Sequence, residues 1–337
     1  MSSSTPHRLA VIIPAYKPDF LARSLACLAR QTDQRFSLYV FDDASPADIQ
    51  SLARSALGTR TFIFKRFEKN LGGTSLPQHW NRCVAETREP WVWLFSDDDL
   101  MADDCVAAFN KFLETGEDTA DIVRFDGWLV DEEDQVTGPH TFEPERESWL
   151  EYAYGHLMGW RRLFMQQLVF RRTAFDQMGG FVNLPLATAT DDAALIALAR
   201  HKPVRQLSGA KAYWRSSQKN ITPDRSIRKR TEKFRAVLLF LAWLQKQLQP
   251  PREHIFPGDQ AAFMYAMDRF LVEQILIHGA RPALANWSLL SETRAWIGNG
   301  SRVALLKYIV VAAVNDGITA FALFLRKLAR HSAKPPQ

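Results

Sequence analysis

Residues 92–99 read Val-Trp-Leu-Phe-Ser-Asp-Asp-Asp, an apolar run that ends in three consecutive carboxylates. Like charges this close repel, and burying them unpaired costs far more than leaving them at the surface. A hard divalent cation rewards such an arrangement. Carboxylates one residue apart at a strand end can reach Mg²⁺ or Mn²⁺ while phosphate oxygens complete the coordination shell. The plainer reading is an acidic turn that opens the following helix, where carboxylates suit the helix N-terminus. Two further acidic pairs stand out. Asp42-Asp43 closes an apolar run, and Asp191-Asp192 opens the apolar segment Ala193–Ala199.

The elements around these residues alternate. Leu9–Ile13 is an unbroken apolar run bounded by Pro14, as expected for a strand buried on both faces. Helical spacing follows over 19–31 through Leu21, Leu25 and Leu28. Strands over 36–41, 61–67 and 91–95 alternate with helices over 46–56 and 74–88. This order implies a parallel sheet with right-handed crossovers. Ligands of such sheets sit beyond the carboxyl ends of the strands. Pro14-Ala15-Tyr16, Asp42-Asp43 and Asp97–Asp99 all fall there. A strand is expected at Ile122–Phe125, followed by a surface hairpin up to 150 and a further strand within 160–171. Met178-Gly-Gly-Phe181 reads as a helix end and turn. Beyond about 223 the pattern is helical: 226–248, 259–278, 282–297 and 302–330.

The 337 residues suffice for one large or two smaller domains, and 47% hydrophobic with 23% charged residues is ordinary globular composition. Cys27, Cys83 and Cys105 are odd in number and widely spaced, so they read as reduced thiols rather than disulfides or zinc ligands. The N-terminal stretch is polar and lacks the apolar core of a signal peptide, which predicts a cytoplasmic protein. The net charge of +5 hides an asymmetry. Residues 1–200 hold 20 Lys and Arg against 29 Asp and Glu, a net of −9; residues 201–337 hold 22 against 8, a net of +14. The acidic half suits a metal site, and the basic half suits anionic partners. Arg225, Arg228, Lys229, Arg230, Lys233 and Arg235 cluster just before the apolar segment 236–244. The last helical stretch carries an apolar stripe from Leu306 to Leu328. Such a stripe packs on a core or lies on an anionic inner membrane face; Lys307, Asn315 and Asp316 interrupt it, which argues against a membrane span. No nucleic-acid-binding motif is present, so nucleic acid is not an expected partner.

Taken in order, these segments resemble the family 2 glycosyltransferases over about residues 8–222. The resemblance rests on Val11-Ile-Ile-Pro-Ala-Tyr16, Asp42-Asp43-Ala-Ser45, Asn70-Leu-Gly-Gly73 with Asn81, Phe95-Ser-Asp-Asp-Asp99, Gly179-Gly-Phe181 with Asp191-Asp192, and Tyr213-Trp-Arg215 with Asn220-Ile221-Thr222. It implies a GT-A fold: a Rossmann-like, mostly parallel sheet flanked by helices over 1–222, with a basic helical extension over 223–337. It also implies inverting transfer from a nucleoside-diphosphate sugar, probed first as a UDP-sugar, to a glycan or lipid-linked saccharide. By that resemblance Pro14, Tyr16, Asp43, Asn70, Asn81, Asp97 and Asp98 bind the donor, with Asp43 accepting from the ring N–H of the base. Asp98 and Asp99 hold Mg²⁺ or Mn²⁺, with Asp97 nearer the ribose. Asp192 is the general base; its plainer reading is an N-cap shared with Asp191. Turn and capping roles stand as alternatives for Asp43, Asp97, Asn70 and Asn81, and packing for Tyr16.

Several positions depart from the family pattern. Lys17, Ala44 and Trp80 replace Asn, Gly and Arg, Asp191 replaces Glu, and Ser217 stands where a His is usual. His79, His140 and His156 sit in no ligand spacing and read as structural or solvated. The competing functions are a nucleotidyltransferase of similar fold and a non-catalytic module binding nucleotide, nucleic acid or membrane. The first would carry a Gly-rich, Lys/Arg-bearing loop after the first strand, and Pro14-Ala-Tyr-Lys-Pro18 is not one.

Overall fold

The computed structural model describes residues 7–115, 119–138, 143–220, 224–248, 259–297 and 306–317. The chain divides into two compact units, Met1–Pro223 and Asp224–Gln337.

The first unit opens with β1 (Leu9–Ala15), α1 (Leu21–Ala29), β2 (Ser37–Asp42), α2 (Ile49–Leu57), β3 (Ile63–Arg66), α3 (Leu76–Ala85) and β4 (Trp91–Leu94). Strands β3, β2, β1 and β4 lie side by side and all run parallel. Every β1 residue except Pro14 is buried, because helices cover both faces of a parallel sheet. α1 turns Leu21, Leu25 and Leu28 inward at helical spacing. The helix starts are set by side chains: Asp48 accepts from the Ser51 amide, and Ser75 caps α3 with Pro77 in its first turn.

The chain continues through β5 (Leu100–Met101), α4 (Cys105–Thr115), β6 (Ile122–Val130), β7 (Arg146–Glu147), α5 (Trp149–Leu157), β8 (Leu168–Arg171), α6 (Arg172–Gln177), α7 (Thr190–Leu198) and β9 (Val204–Arg215). The sheet order is β3-β2-β1-β4-β8-β6-β9-β5, with β7 also paired to β9. Beyond β4 the sheet turns mixed. β8 is antiparallel to both β4 and β6, β6 is parallel to β9, and β5 and β7 pair antiparallel with β9. The sheet is thus all parallel over β3-β2-β1-β4 and mixed beyond it, within the expected α/β architecture flanked by helices. β6 extends to Val130, well past the expected Phe125, because it pairs with β9 along its length across a bulge at Phe125/Asp126.

Aromatic packing closes the centre of the sheet. Trp93 is fully buried and stacks on Phe125 with ring centroids 4.5 Å apart, and its indole N–H donates to the Gln166 carbonyl at 2.8 Å. Trp91 meets Phe109 and Phe112 edge to face. The three cysteines are buried and free, and burial pushes the Cys27 thiol up to about 12.

The second unit holds α8 (Ile227–Gln247), α9 (Asp259–His278), α10 (Ala280–Ala285), α11 (Trp287–Ile297) and a helix over 306–317. The expected single helix over 282–297 is two, because the Asn286 side-chain amide donates to the Pro282 and Thr231 carbonyls and ends α10 there. Of the stretch expected helical over 302–330, residues 302–305 and 318–330 lie outside the described residues. So do His140, Ile221 and Thr222.

Trp93→Phe removes the hydrogen bond to Gln166 and part of the stack, and Trp93→Ala empties the site. We expect losses of roughly 1–3 and 3–5 kcal/mol in urea unfolding, respectively.

Candidate active site

The acidic run lies just beyond the end of β4, and all three carboxylates are buried. Each is committed differently. One oxygen of Asp97 accepts from the backbone amides of Tyr16 and Lys17, at 2.8 and 2.9 Å, which ties the end of β4 to the end of β1. Asp98 accepts from the Ser96 hydroxyl at 2.6 Å and faces the Lys17 ammonium at 3.7 Å. Asp99 accepts from the Arg215 amide at 2.8 Å, which ties the run to the end of β9. The Arg215 side chain is itself fully buried. Its Nε donates to the Asp98 carbonyl at 2.7 Å and its Nη1 to the Asp131 carbonyl at 2.8 Å, while Nη1 also pairs with Asp134 at 2.5 Å. The guanidinium covers the Phe20 ring at 4.5 Å.

This environment is short of positive charge. Burial, then the neighbouring Asp98, pushes Asp97 up to about 7, and the same two causes raise Asp99 well above the carboxylate range. The donors that converge are all oxygen, which suits Mg²⁺ or Mn²⁺. Among the described residues no group of three or more His, Cys, Asp or Glu is arranged to hold an ion. Ser217, at the position where the family pattern has His, instead bonds the Asn220 side chain at 3.0 Å. The residues therefore fit an ion held by two carboxylates, with water and phosphate oxygens supplying the rest of its shell.

Asp42 and Asp43, at the end of β2, form a second buried acidic pair. Asp42 accepts from the Ser45 amide at 2.7 Å and pairs with Arg66. Asp43 accepts from the amides of Leu71 and Gly72, at 2.9 and 2.8 Å, and pairs with Arg82. A Cβ at Gly72 would come within 2.7 Å of that carboxylate, so glycine is what permits the approach. Arg82 lies over the Phe67 ring at 3.8 Å. Lys65, Arg66, Phe67, Glu68, Lys69 and Arg82 line a cleft of about 500 Å³ here. Trp80, which stands where the family pattern has Arg, packs edge to face on Phe181, and Arg82 reaches the carboxylate from one half-turn later. His79 is buried beside this pair, and burial pulls its imidazole down to about 4.

The remaining expected donor residues divide. Pro14 lies in β1 opposite Phe41, and Tyr16 is 42% exposed just beyond it. Asn70 turns inward on its own loop and accepts from the Gly73 amide at 2.6 Å. Asn81 clamps the Phe181 backbone, accepting from its amide at 2.8 Å and donating to its carbonyl at 3.2 Å. Gly180, at φ +85°, lies where a Cβ would meet that Asn81 oxygen at 2.9 Å. Asn70 thus makes a turn contact within its own loop, whereas Asn81, inside α3, makes a long-range clamp that is neither a cap nor a turn.

Asp192 lies within the first turn of α7, three residues past the cap position at Ala189, so it is not the N-cap. One of its oxygens, Oδ1, accepts from the Tyr152 hydroxyl at 2.6 Å and meets His156 Nδ1 at 2.9 Å. His156 was read from the sequence as structural or solvated; the fold instead sets it against the proposed base. Tyr152 and His156 are four apart on α5, so the sequence places them on one helical face. Nothing local says that α7 packs against that face. Burial opposes the charge on both partners, yet the ion pair prevails: His156 is raised and Asp192 lowered from their usual ranges. Asp191 beside it is raised well above its range, by burial and then by Asp192.

Residues 10–171 match the model of glycosyl transferase family 2. No curated protein matches the sequence. Among solved structures, S. aureus TarS shares the fold with a TM-score of 0.52 at 15% identity, over 84% of this chain and 53% of that one. The chain thus spans about half the length of that relative. S. aureus TarS 1–349 in complex with UDP-GlcNAc matches with a TM-score of 0.53 at 13% identity, over 88% of this chain and 93% of that one. The mannosyltransferase PcManGT from Pyrobaculum calidifontis, in complex with GDP-Man and Mn²⁺, matches with a TM-score of 0.52 at 15% identity, over 93% and 89%. At such identities the likeness is one of fold. Residues 10–171 thus match the glycosyl transferase family 2 model, within an architecture of GT-A type shared as a fold with these structures.

Proposed function

We propose that the protein is an inverting, metal-assisted transferase that moves a sugar from a nucleoside-diphosphate sugar to a glycan or lipid-linked saccharide. The product in this reading is a surface polysaccharide or another glycoconjugate. The observation that carries the proposal is the convergence of three buried carboxylates, Asp97–Asp99, on the ends of β1 and β9. Asp98 and Asp99 are the residues that would hold Mg²⁺ or Mn²⁺. When bound, such an ion supplies positive charge to a departing diphosphate. Asp97, doubly bonded to the Tyr16 and Lys17 amides, serves to seat the nucleotide-bordering segment. Tyr16 borders the base, and Asp43 with Arg82 shapes the Asn70–Gly73 loop around it.

At the other side of the reaction, the acceptor hydroxyl gives its proton to Asp192. Its oxygen bonds to the anomeric carbon, and the bond from that carbon to the diphosphate oxygen breaks, leaving its electron pair on the diphosphate. One displacement from the opposite face inverts the anomeric centre. A UDP-sugar is the leading donor, supported by the UDP-GlcNAc complex of one neighbour; the GDP-Man complex of another makes guanine the competing base.

The helical unit suits a peripheral contact with the anionic inner face of a membrane, from the cytoplasmic side. Arg225, Arg228 and Arg235 are exposed, and the helix over 306–317 exposes Leu306, Val310, Val311 and Val314. No described helix is long and apolar enough to cross a membrane.

Three measurements test this reading. In calorimetric titration we expect UDP to bind at least ten-fold more tightly with Mn²⁺ than without it. Asp99→Asn keeps an acceptor for the Arg215 amide while removing the charge, and should abolish that difference. Metal-independent binding, or binding of neither UDP nor GDP, would overturn the donor site. Asp192→Asn should bind UDP as the parent does while turnover falls by about 10²–10⁴-fold; unchanged turnover removes Asp192 as the base. Flotation with vesicles containing phosphatidylglycerol should be salt-sensitive and weakened by charge reversal at Arg225 and Arg228; no flotation excludes the membrane contact.

A further inference from the structure

We infer that Tyr152 and His156 are positioning residues for Asp192, holding Oδ1 so that the second carboxylate oxygen takes the acceptor proton, and that His156 links the strength of this base to pH. The inference rests on the assignment of Asp192 as the base. The carrying observation is geometric: two groups from one helical face close on a single oxygen, the Tyr152 hydroxyl donating at 2.6 Å and the His156 ring nitrogen pairing with it at 2.9 Å. A carboxylate bonded this way cannot rotate without losing both contacts, and a preoriented base spares the reaction that ordering step.

The helix that supplies both donors is itself fixed. Ser148 and Glu151 form a capping box at its start. Behind it, Glu147 binds Arg124 at 2.9 Å and Arg161 at 2.7 Å, and Arg161 also meets Glu143 at 3.1 Å. Glu143, Glu147 and Arg124 are buried, so this network is screened little by solvent. Three other groups bear on the His156–Asp192 pair. Asp191 lies on the same turn of α7 as Asp192, Tyr152 faces it from α5, and Arg124 on β6 acts on Tyr152.

The sign of the coupling follows from reciprocity. Protonated His156 stabilises the Asp192 carboxylate and weakens it as a base. When His156 loses its proton that charge is lost, while the Tyr152 hydroxyl still donates to Oδ1, so the orientation is kept and Asp192 becomes more basic. His156 is raised above its usual 6.5 because the Asp192 anion outweighs the opposing burial. Turnover therefore climbs in a second step above about pH 6.5, beyond the step in which Asp192 itself ionises.

The direct test is a pH titration of the His156 ring by NMR in the full chain labelled at histidine. We expect a midpoint above 6.5, and in Asp192→Asn a midpoint below 6.5, because burial then acts without the anion. Equal midpoints in the two proteins overturn the coupling. The kinetic test follows release of UDP from UDP-GlcNAc and of GDP from GDP-Man. His156→Gln, which retains a donor but cannot be protonated, should lose the upper step and leave the KM for donor within two-fold. Tyr152→Phe should lower kcat about ten-fold and keep the upper step. An upper step that survives in His156→Gln overturns the proposal. Asp192→Asn distinguishes the two levels: if it turns over as the parent does, the base assignment fails, whatever His156 does. If it is inactive while the upper step survives in His156→Gln, the base stands and the positioning role falls.

Discussion

Three adjacent carboxylates at the end of a buried strand are the constraint on which the first unit depends. Each would be expensive alone, and their mutual repulsion adds to the cost. Backbone amides from two other strand ends relieve part of it: Tyr16 and Lys17 bond Asp97, and Arg215 bonds Asp99. The same bonds fasten β1, β4 and β9 together where a ligand of such a sheet lies. A buried guanidinium completes the arrangement without neutralising it, because Arg215 gives its donors to the Asp98 and Asp131 carbonyls and to Asp134. The carboxylates are thus oriented by neighbouring backbone while burial and mutual repulsion still raise Asp97 and Asp99.

Elsewhere the chain meets its acidic residues with arginine. Arg66 and Arg82 pair with Asp42 and Asp43, and Lys202 and Arg171 share Asp121. At the far side of the reaction His156 and Tyr152 meet Asp192. The contrast is chemical. Carboxylates paired with arginine shape loops, whereas the Asp97–Asp99 run is bonded mainly by neutral amides and one hydroxyl, with the Lys17 ammonium 3.7 Å from Asp98.

The helical unit follows a different physics. Its interior is aliphatic and aromatic, with Phe234, Leu238, Phe240, Leu241 and Leu244 of α8 buried. Yet Val310 and Val314 are more than half exposed on one face of the helix over 306–317. Leu306, Val310, Val311 and Val314 lie within nine residues of that helix, so their exposure is more than scattered surface apolarity.

The sequence by itself determined the nucleotide-type half of the fold, because unbroken apolar runs that alternate with helical spacing admit little besides a parallel sheet. It also placed Asp43 and Asp97–Asp99 at strand ends, since strand ends are read from where apolar runs stop. It could not say which carboxylates are satisfied by which amides, since those bonds join residues 28 to 116 apart. The roles of Asn70 and Asn81 remained open for the same reason: a turn and a clamp look alike until the partner is known. The mixed half of the sheet was hidden because β5 and β7 are two residues long and take their existence from β9. His156 shows the limit most plainly. Its spacing to Tyr152 is local and legible, but its chemistry begins only when α7 sets Asp192 against α5, and that contact belongs to the tertiary structure alone.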